Sequence, residues 1–382
     1  MTEITPEVTD VVIAQGGKDL EQCYQCGTCT AVCPWNIAGE LGVRSLVHQT
    51  QLGLTDFGDS EIWKCAACRS CAQACPRGLD IPKIIRSLRR VISEVGTGSV
   101  PRSLRTAAAN IAGVGNPMGE PREGRIKLAT EKDIRRYTKG TDIMLFTCCY
   151  QSYDSRCIKV TESLIRILRT ANVDFGILDE NISCCGESIR KTGKEALFAD
   201  LAAHNIKALQ EAGVKKILVA SPHCFNTLKD EYPEFGTSFE VIHMVQYLDE
   251  LVTSGRIKFN KTLDKKVTYH DSCFLGRYQG IYDEPRRILK AIPGISLIEM
   301  TDNHADALCC GGGAGGLWLE SKKDERFAEL RIRQAVASGA QVLAVSCPYC
   351  MTMFEDSALG LNEADSIEIK DVIELVWESI WI

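Results

Sequence analysis

Residues 306–316 read DALCCGGGAGG, and an earlier stretch, residues 181–187, reads NISCCGE. Each places two adjacent cysteines before glycine. In the later stretch Gly311, Gly313 and Gly316 also spell G-x-G-x-x-G, the pattern of a dinucleotide loop. That reading needs a strand ending at the first glycine. Here the glycines follow a cysteine pair, so thiolate chemistry is the better account.

Working outward, the surroundings of the two pairs also repeat. DIMLFTCC (142–149) matches KVTYHDSC (266–273), and VKKILVASPHC (214–224) matches AQVLAVSCPYC (340–350). A repeat spaced this evenly is an internal duplication. In the first copy IMLFT, VDFGIL and KILVA read as strands. CIKVTESLIRILRTA and the segment 194–212, ending on Gly213, read as the helices between them. Short apolar strands alternating with longer helices predict a parallel α/β sheet in each copy. The cysteines fall just after the strands, at the carboxyl edge where open α/β sheets bind ligands. Two similar sites facing one another are expected.

Cysteine is the compositional outlier, with 19 in 382 residues. The N-terminus shows no export-signal pattern, so a disulfide framework is disfavoured and a cytoplasmic location is expected. A net charge of −6 argues against nucleic-acid binding, and no apolar run reaches the length of a membrane span.

Two further runs, CYQCGTCTAVCP (23–34) and CAACRSCAQACP (65–76), are both C-x2-C-x2-C-x3-C-P. Zinc knuckles use paired C-x2-C motifs instead. In this spacing the fourth cysteine ligates the cluster of the other run. Cys23, Cys26, Cys29 and Cys75 are therefore assigned to one cubane 4Fe–4S cluster, and Cys65, Cys68, Cys71 and Cys33 to a second. Pro34 and Pro76 fix the chain as it leaves each run. Helical periodicity between the runs, and after the second with Pro82 in a first turn, predicts an α-helical module. His48, on the inter-run helix, reads as structural. Residues 96–140, with Pro101, Pro117, Pro121 and nine basic against four acidic residues, read as a connector.

In the second copy Cys273, Cys309, Cys310, Cys347 and Cys350 converge. Five thiolates exceed a cubane's four corners, and one of a vicinal pair can bridge two irons; zinc or a vicinal disulfide are the other readings. The pattern C-x35-CCG-x35-C-x2-C, in duplicate and behind a ferredoxin module, resembles the cysteine-rich CCG domain of the B- and D-type subunits of heterodisulfide reductase. The fused arrangement resembles the D-type subunit, or a fusion of the C- and B-type subunits. HDSCFLGRYQGIYDEPRRIL and SPHCFNTLKDEYPEFG carry the resemblance further.

The resemblance implies an α+β multidomain chain, with an α-helical ferredoxin module (1–95), a linker (96–140) and two α/β, Rossmann-like CCG domains (141–260 and 261–382). It implies an oxidoreductase subunit of a larger redox complex, whose two cubanes pass electrons to one or two non-cubane clusters held by five cysteines each. In the founding enzymes such clusters flank a disulfide between two coenzymes. The implied partners are a flavoprotein, a ferredoxin-like protein or a membrane cytochrome or quinone subunit, through which the chain would sit peripherally on a membrane. The alternative is a pure electron-transfer subunit without its own substrate.

Carried over residue by residue, the second site is complete. The first offers Cys184, Cys185 and Cys224, but Ser221 stands where Cys347 is expected. Its first ligand is Cys148 or Cys149; Cys149 is favoured because Tyr150 after it mirrors Phe274. Cys148 or Cys157 could replace the missing thiolate, or the site could be incomplete. His270 and His223 are candidate donors near the clusters, and Asp271 and Arg277 could orient a substrate. At the C-terminus Ile373, Val376, Trp377 and Ile380 share a helical face suited to core packing, while Trp381 and Ile382 are candidates for docking.

Overall fold

The computed structural model describes every residue except 1–6, 40, 55–60, 97, 132, 179–181, 322–324 and 381–382. Trp381 and Ile382, the candidates for docking, lie outside the described residues.

The duplication folds into two parallel sheets of four strands. The first comprises β1 (Ile143–Phe146), β2 (Phe175–Gly176), β3 (Lys216–Val219) and β4 (Glu240–His243), in the order β2-β1-β3-β4. The second comprises β5 (Lys265–Tyr269), β6 (Ile295–Leu297), β7 (Val342–Val345) and β8 (Glu368–Asp371), in the order β6-β5-β7-β8. IMLF and VLAV are buried along their whole length, as expected of strands covered by helices on both faces. β4 and β8 are additions to the strands read from the sequence. Both are edge strands that begin on an exposed glutamate, so neither carries the continuous apolar run that marks β1.

The helices form where the periodicity places them. Asp154 caps Ser155–Thr170 by accepting from the N–H groups of Arg156 and Cys157, at 3.1 and 2.9 Å. The helix Glu195–Glu211 ends at Gly213, whose φ of +70° is the left-handed turn that suits glycine. Ile373, Val376 and Ile380 are buried in the last helix, Val372–Ile380, and Arg166 lies over the Trp377 ring.

The described elements between residues 7 and 95 are helices and helical turns. Asp80 caps Ile81–Arg90, which carries Pro82 in its first turn. His48 sits exposed on Val43–Gln51. Residues 96–140 are more ordered than a bare connector, holding helices Arg102–Val114 and Glu123–Glu131 and burying Leu104, Ala107 and Ile111.

One apolar core runs through both copies of the duplication to Ile380 and takes in Ala38, Ala66, Ala108 and Ile111, while residues 12–104 build a second, smaller one against which Trp318 and Leu319 also pack. The copies are also tied by Arg156, which reaches Glu355 at 2.6 Å and Glu374 at 2.7 Å.

Arg89 joins all three parts. It is 1% exposed and donates to the carbonyls of Ile62 (3.1 and 2.7 Å), Cys65 (2.7 Å), Lys191 (3.2 Å) and Ala314 (3.3 Å). Two glycines complete the docking. A Cβ at Gly193 would lie 2.3 Å from the Arg89 carbonyl carbon, and one at Gly313 would lie 2.5 Å from the Ala66 oxygen. Backbone from each copy thus packs directly on backbone of the N-terminal part.

Candidate iron–sulfur sites

The two N-terminal runs share a loop geometry. Gln25 and Gly27 in the first, and Ala67 and Arg69 in the second, all have positive φ. Only Gly27 takes this conformation without steric cost. The left-handed steps curl the chain between successive cysteines and bring donors to sulfur. Thr28 Oγ1 lies 3.4 Å from Cys26 Sγ, and Ser70 Oγ takes the same place at Cys68. Arg69, despite its conformation, is engaged: its guanidinium lies over the Tyr278 ring, 4.7 Å from the centroid.

Cys33 has Cys65 and Cys68 of the second run as neighbours besides Cys29 of its own, and burial pushes its thiol up to about 12. Cys75, like Cys26, lies near Tyr24. Cys26 is exposed. Around that end Tyr24 is 59% and Ile37 71% exposed, an apolar surface beside the first run. The second run faces inward, where Cys68 has Cys309 as a neighbouring thiol.

In the second copy the carboxyl ends of β5 and β7 deliver the thiols. Cys273 follows β5, Cys347 follows β7, and Cys350 lies in the first turn of Pro348–Gly360. The contacts form a chain of sulfurs running Cys273, Cys309, Cys310, Cys350, Cys347, with 3.3 Å between Cys310 and Cys350. Gly311 N–H donates to Cys309 Sγ at 3.3 Å. A cavity of about 350 Å3 reaches this loop at Gly311 and Gly316, between Trp35, Trp63 and Phe327.

The first copy builds a similar chain, running Cys149, Cys184, Cys185, Cys224, Cys148. Contact with Cys184 and Cys224 draws the Cys185 thiol down to about 6. Arg125, from the segment read as a linker, donates to Cys149 Sγ at 3.3 Å and to the Thr147 carbonyl at 2.7 Å. Ser221 Oγ is buried beside the Cys148 thiol without a well-formed hydrogen bond. Cys157 stands off the chain against Asp154 and Thr352, and burial pushes its thiol well up. None of the 19 cysteines is paired in a disulfide. Soft donors converging in buried sets of this size suit iron–sulfur clusters.

Between the two chains of sulfurs lies a group that sequence spacing does not reveal. His223 follows β3 of the first copy but reaches Cys347 of the second. Its Nδ1 is 3.2 Å from Glu187 Oε2, and its ring centre lies 4.2 Å from those of both Phe274 and Tyr349. Burial opposes charge on His223, but Glu187 and Cys347 hold its pKa well above 6.5. Burial likewise opposes the Cys347 thiolate, yet Cys350 and His223 bring it down to about 5. The only sequence signal for Glu187 is that it stands where the second copy has Gly312.

The other candidates resolve individually. His270 Nδ1 accepts from Arg331 Nε at 3.3 Å, and its ring, Cys310 and Cys350 present ligating atoms within 4.8 Å of one another. Asp271 is not free to orient a substrate. It is held by Arg286 at 2.7 and 2.9 Å and accepts the His304 N–H. Arg277 donates through Nε to the Cys68 carbonyl (2.6 Å) and through Nη1 to those of Ala305 (3.0 Å) and Ala307 (2.8 Å), while its Nη2 is buried without a hydrogen-bond partner. It fastens the second run to the second copy.

Comparison with known proteins agrees with this layout. The cysteine-rich domain family matches twice, at residues 143–229 and 267–355, and the 4Fe–4S dicluster domain matches residues 12–79. The D-type subunit of dihydromethanophenazine:CoB–CoM heterodisulfide reductase from Methanosarcina mazei is 30% identical, with 100% of this chain and 99% of that protein covered. EtfAB:quinone oxidoreductase of Syntrophomonas wolfei is 32% identical over 95% of this chain, which spans 58% of that protein's length. A hypothetical protein from Helicobacter pylori shares the fold, with a TM-score of 0.51 at 11% identity over 96% of this chain and 73% of that one. No helix among the described residues is long and apolar enough to cross a membrane.

Proposed function

We propose, from a chain that belongs to the D-type heterodisulfide reductase family of iron–sulfur oxidoreductases, that it conducts electrons from a surface cluster in its N-terminal part to a substrate-reactive centre in the duplicated part. In this reading residues 1–95 are an α-helical ferredoxin module, 96–140 connect it, and 141–260 and 261–382 are the two Rossmann-like CCG domains. Cys23, Cys26, Cys29 and Cys75 hold the entry cubane; Cys65, Cys68, Cys71 and Cys33 hold the inner one. Cys273, Cys309, Cys310, Cys347 and Cys350 hold a non-cubane cluster.

The observation that carries the reading is the docking of the second run on the second copy, where Arg277 donates to the Cys68 carbonyl at 2.6 Å and the Tyr278 hydroxyl to the Ala67 carbonyl at 2.8 Å, with Cys309 the nearby thiol of Cys68. It sets the inner cluster's protein ligand against a ligand of the second CCG site, so the wire ends where the five thiols converge. When bound, the clusters supply one-electron steps and, at the non-cubane centre, an iron position open to a substrate sulfur. The chain's own groups shape the rest. His223 and Glu187 keep a paired charge beside Cys347, and the cavity at Gly311 gives a small thiol or disulfide a route to the site. Cleavage of a disulfide consumes two electrons and two protons and yields two thiols. The electron donor belongs to a partner, and the exposed apolar surface at Tyr24 and Ile37 is where it would meet Cys26.

The second reading is an electron-transfer subunit without its own substrate, coupling a flavoprotein to a quinone-linked partner. The likeness to a protein named EtfAB:quinone oxidoreductase favours it. The two separate in one assay. Turnover of disulfides with reduced viologen supports the first, and its absence alongside rapid exchange with an electron-transferring flavoprotein supports the second. Iron analysis tests both. About sixteen irons per chain fill all four sites, about twelve leave one CCG site empty, and about eight would remove the CCG centres from either reading.

A further inference from the structure

We propose that Cys148 is the fifth thiolate of the first CCG site, occupying the place that Cys347 fills in the second. This rests on the reading that the CCG sites hold clusters, and it assigns a complete ligand set to the copy whose motif is broken by Ser221.

Two independent observations carry it. The first is the order of the sulfur contacts. In the second copy the chain runs Cys273, Cys309, Cys310, Cys350, Cys347. In the first it runs Cys149, Cys184, Cys185, Cys224, Cys148. Matched link by link, Cys149 takes the place of Cys273, the vicinal pairs correspond, Cys224 corresponds to Cys350, and Cys148 falls on Cys347.

The second observation is strand register. β1 and β3 are hydrogen-bonded neighbours with Phe146 opposite Val219. Two residues beyond that pair, Cys148 lies level with Ser221 as both chains leave the sheet. In the second copy Tyr269 is opposite Ala344. Three residues beyond, Ser272 lies level with Cys347. Each copy therefore has one cysteine and one serine at the same two strand exits, with the strands exchanged: Cys148 and Ser221 in the first, Ser272 and Cys347 in the second. Both serine hydroxyls are buried without a hydrogen-bond partner. A thiolate leaving one strand can reach what a thiolate leaving the adjacent strand would reach, because neighbouring strands lie only about 5 Å apart. Motif spacing reads Ser221 as a lost ligand because it does not register this lateral exchange.

Cys157 is excluded by the same geometry. It lies against Asp154 and Thr352, outside the chain of five.

The test uses the full-length, cluster-loaded protein in four forms: wild type, Cys148→Ser, Cys157→Ser, and the double variant Cys148→Ser/Ser221→Cys. The readouts are iron per chain and the paramagnetic spectrum, with the ferredoxin signals as the internal standard for folding. The wild type should carry about sixteen irons. Cys148→Ser should abolish or shift the first-site signal, Cys157→Ser should leave it unchanged, and the double variant should restore it by returning the thiolate to the β3 exit. An unchanged spectrum and iron content in Cys148→Ser overturns the assignment, as does failure of Ser221→Cys to restore the signal, or its loss in Cys157→Ser. About twelve irons in the wild type with the second-site signal intact overturns it while leaving the function at the second site standing. About eight removes the underlying reading as well.

Discussion

Replacing Arg89 with methionine should loosen the N-terminal part from both copies at once. The guanidinium makes five hydrogen bonds to four carbonyls, those of Ile62, Cys65, Lys191 and Ala314, and stacks near Trp63 with 5.3 Å to the ring centroid. Hydrogen bonds from a charged donor are worth about 1.5–3 kcal/mol each, about 8–15 kcal/mol in all. Against this stands the cost of burying the cation, several kcal/mol, because no carboxylate is among its hydrogen-bond partners. Burial pulls the Arg89 pKa down in consequence. Methionine fills the stem but leaves the carbonyls without a donor, so the net loss should be about 3–5 kcal/mol. Urea unfolding monitored by the visible absorption of the clusters measures it. Lysine in the same place keeps the charge but cannot spread donors over four separated carbonyls, and should recover only part. Electron delivery from the N-terminal clusters to the second site should slow, while chemical reduction of the N-terminal clusters is unaffected. A loss below about 1 kcal/mol in Arg89→Met, with unaltered internal transfer, would refute the view that this side chain fastens the parts together.

Gly313→Ala forces a methyl against the Ala66 carbonyl and should cost about 1–3 kcal/mol; rapid-mixing reduction kinetics should show slower arrival of electrons at the second site, and wild-type kinetics would count against direct docking there. Glu187→Gln should destabilise by about 3 kcal/mol near neutral pH, because it removes the carboxylate of a buried pair and leaves Cys347 as the remaining group favouring the imidazolium. Glu187, held below 4.5, contributes stability above pH 4.5 that is lost as pH falls through its depressed pKa; His223 contributes stability below pH 6.5 that is lost as pH rises through its raised one. The difference between wild type and variant in urea unfolding should therefore shrink at both extremes, and a pH-independent gap would contradict the pairing. Cys310→Ala should erase the second-site paramagnetic signal and leave the ferredoxin signals intact; persistence of all signals would overturn its place among the ligands.

The chemistry is legible in the sequence to the extent that it is written in local spacing. The runs at 23–34 and 65–76 and the C-x35-CCG-x35-C-x2-C frame name their thiols without a structure, and the strands flanking them announce themselves by unbroken apolar letters. β4 and β8 escape because an edge strand opening on an exposed glutamate lacks that signal. Asp271 reads as substrate-orienting because a polar residue beside a motif looks available until its partner, Arg286, is seen. Arg125 and Arg89 act on sulfur and carbonyls far away in the chain, which no periodicity encodes. The place of His223 next to Cys224 puts it near a cluster, but that it serves the opposite copy follows only from how the two sheet edges face each other.

The continuous core through both copies also governs how the molecule comes into being. Both copies bury their apolar surface in one body, which Ala38 and Ala66 of the N-terminal part also enter, and Arg156 crosses from the first copy to Glu355 and Glu374 of the second. Neither copy can close its own core while the other is absent, so the pair should gain its shape in a single cooperative event once residues near the C-terminus have been made. The N-terminal part buries Val12 to Leu104 in a second core that Trp318 and Leu319 of the second copy also cover, and it is made before them. Metal insertion would then have an order imposed by packing: the N-terminal thiols are made first, and the two converging sets behind them form only once both copies are present.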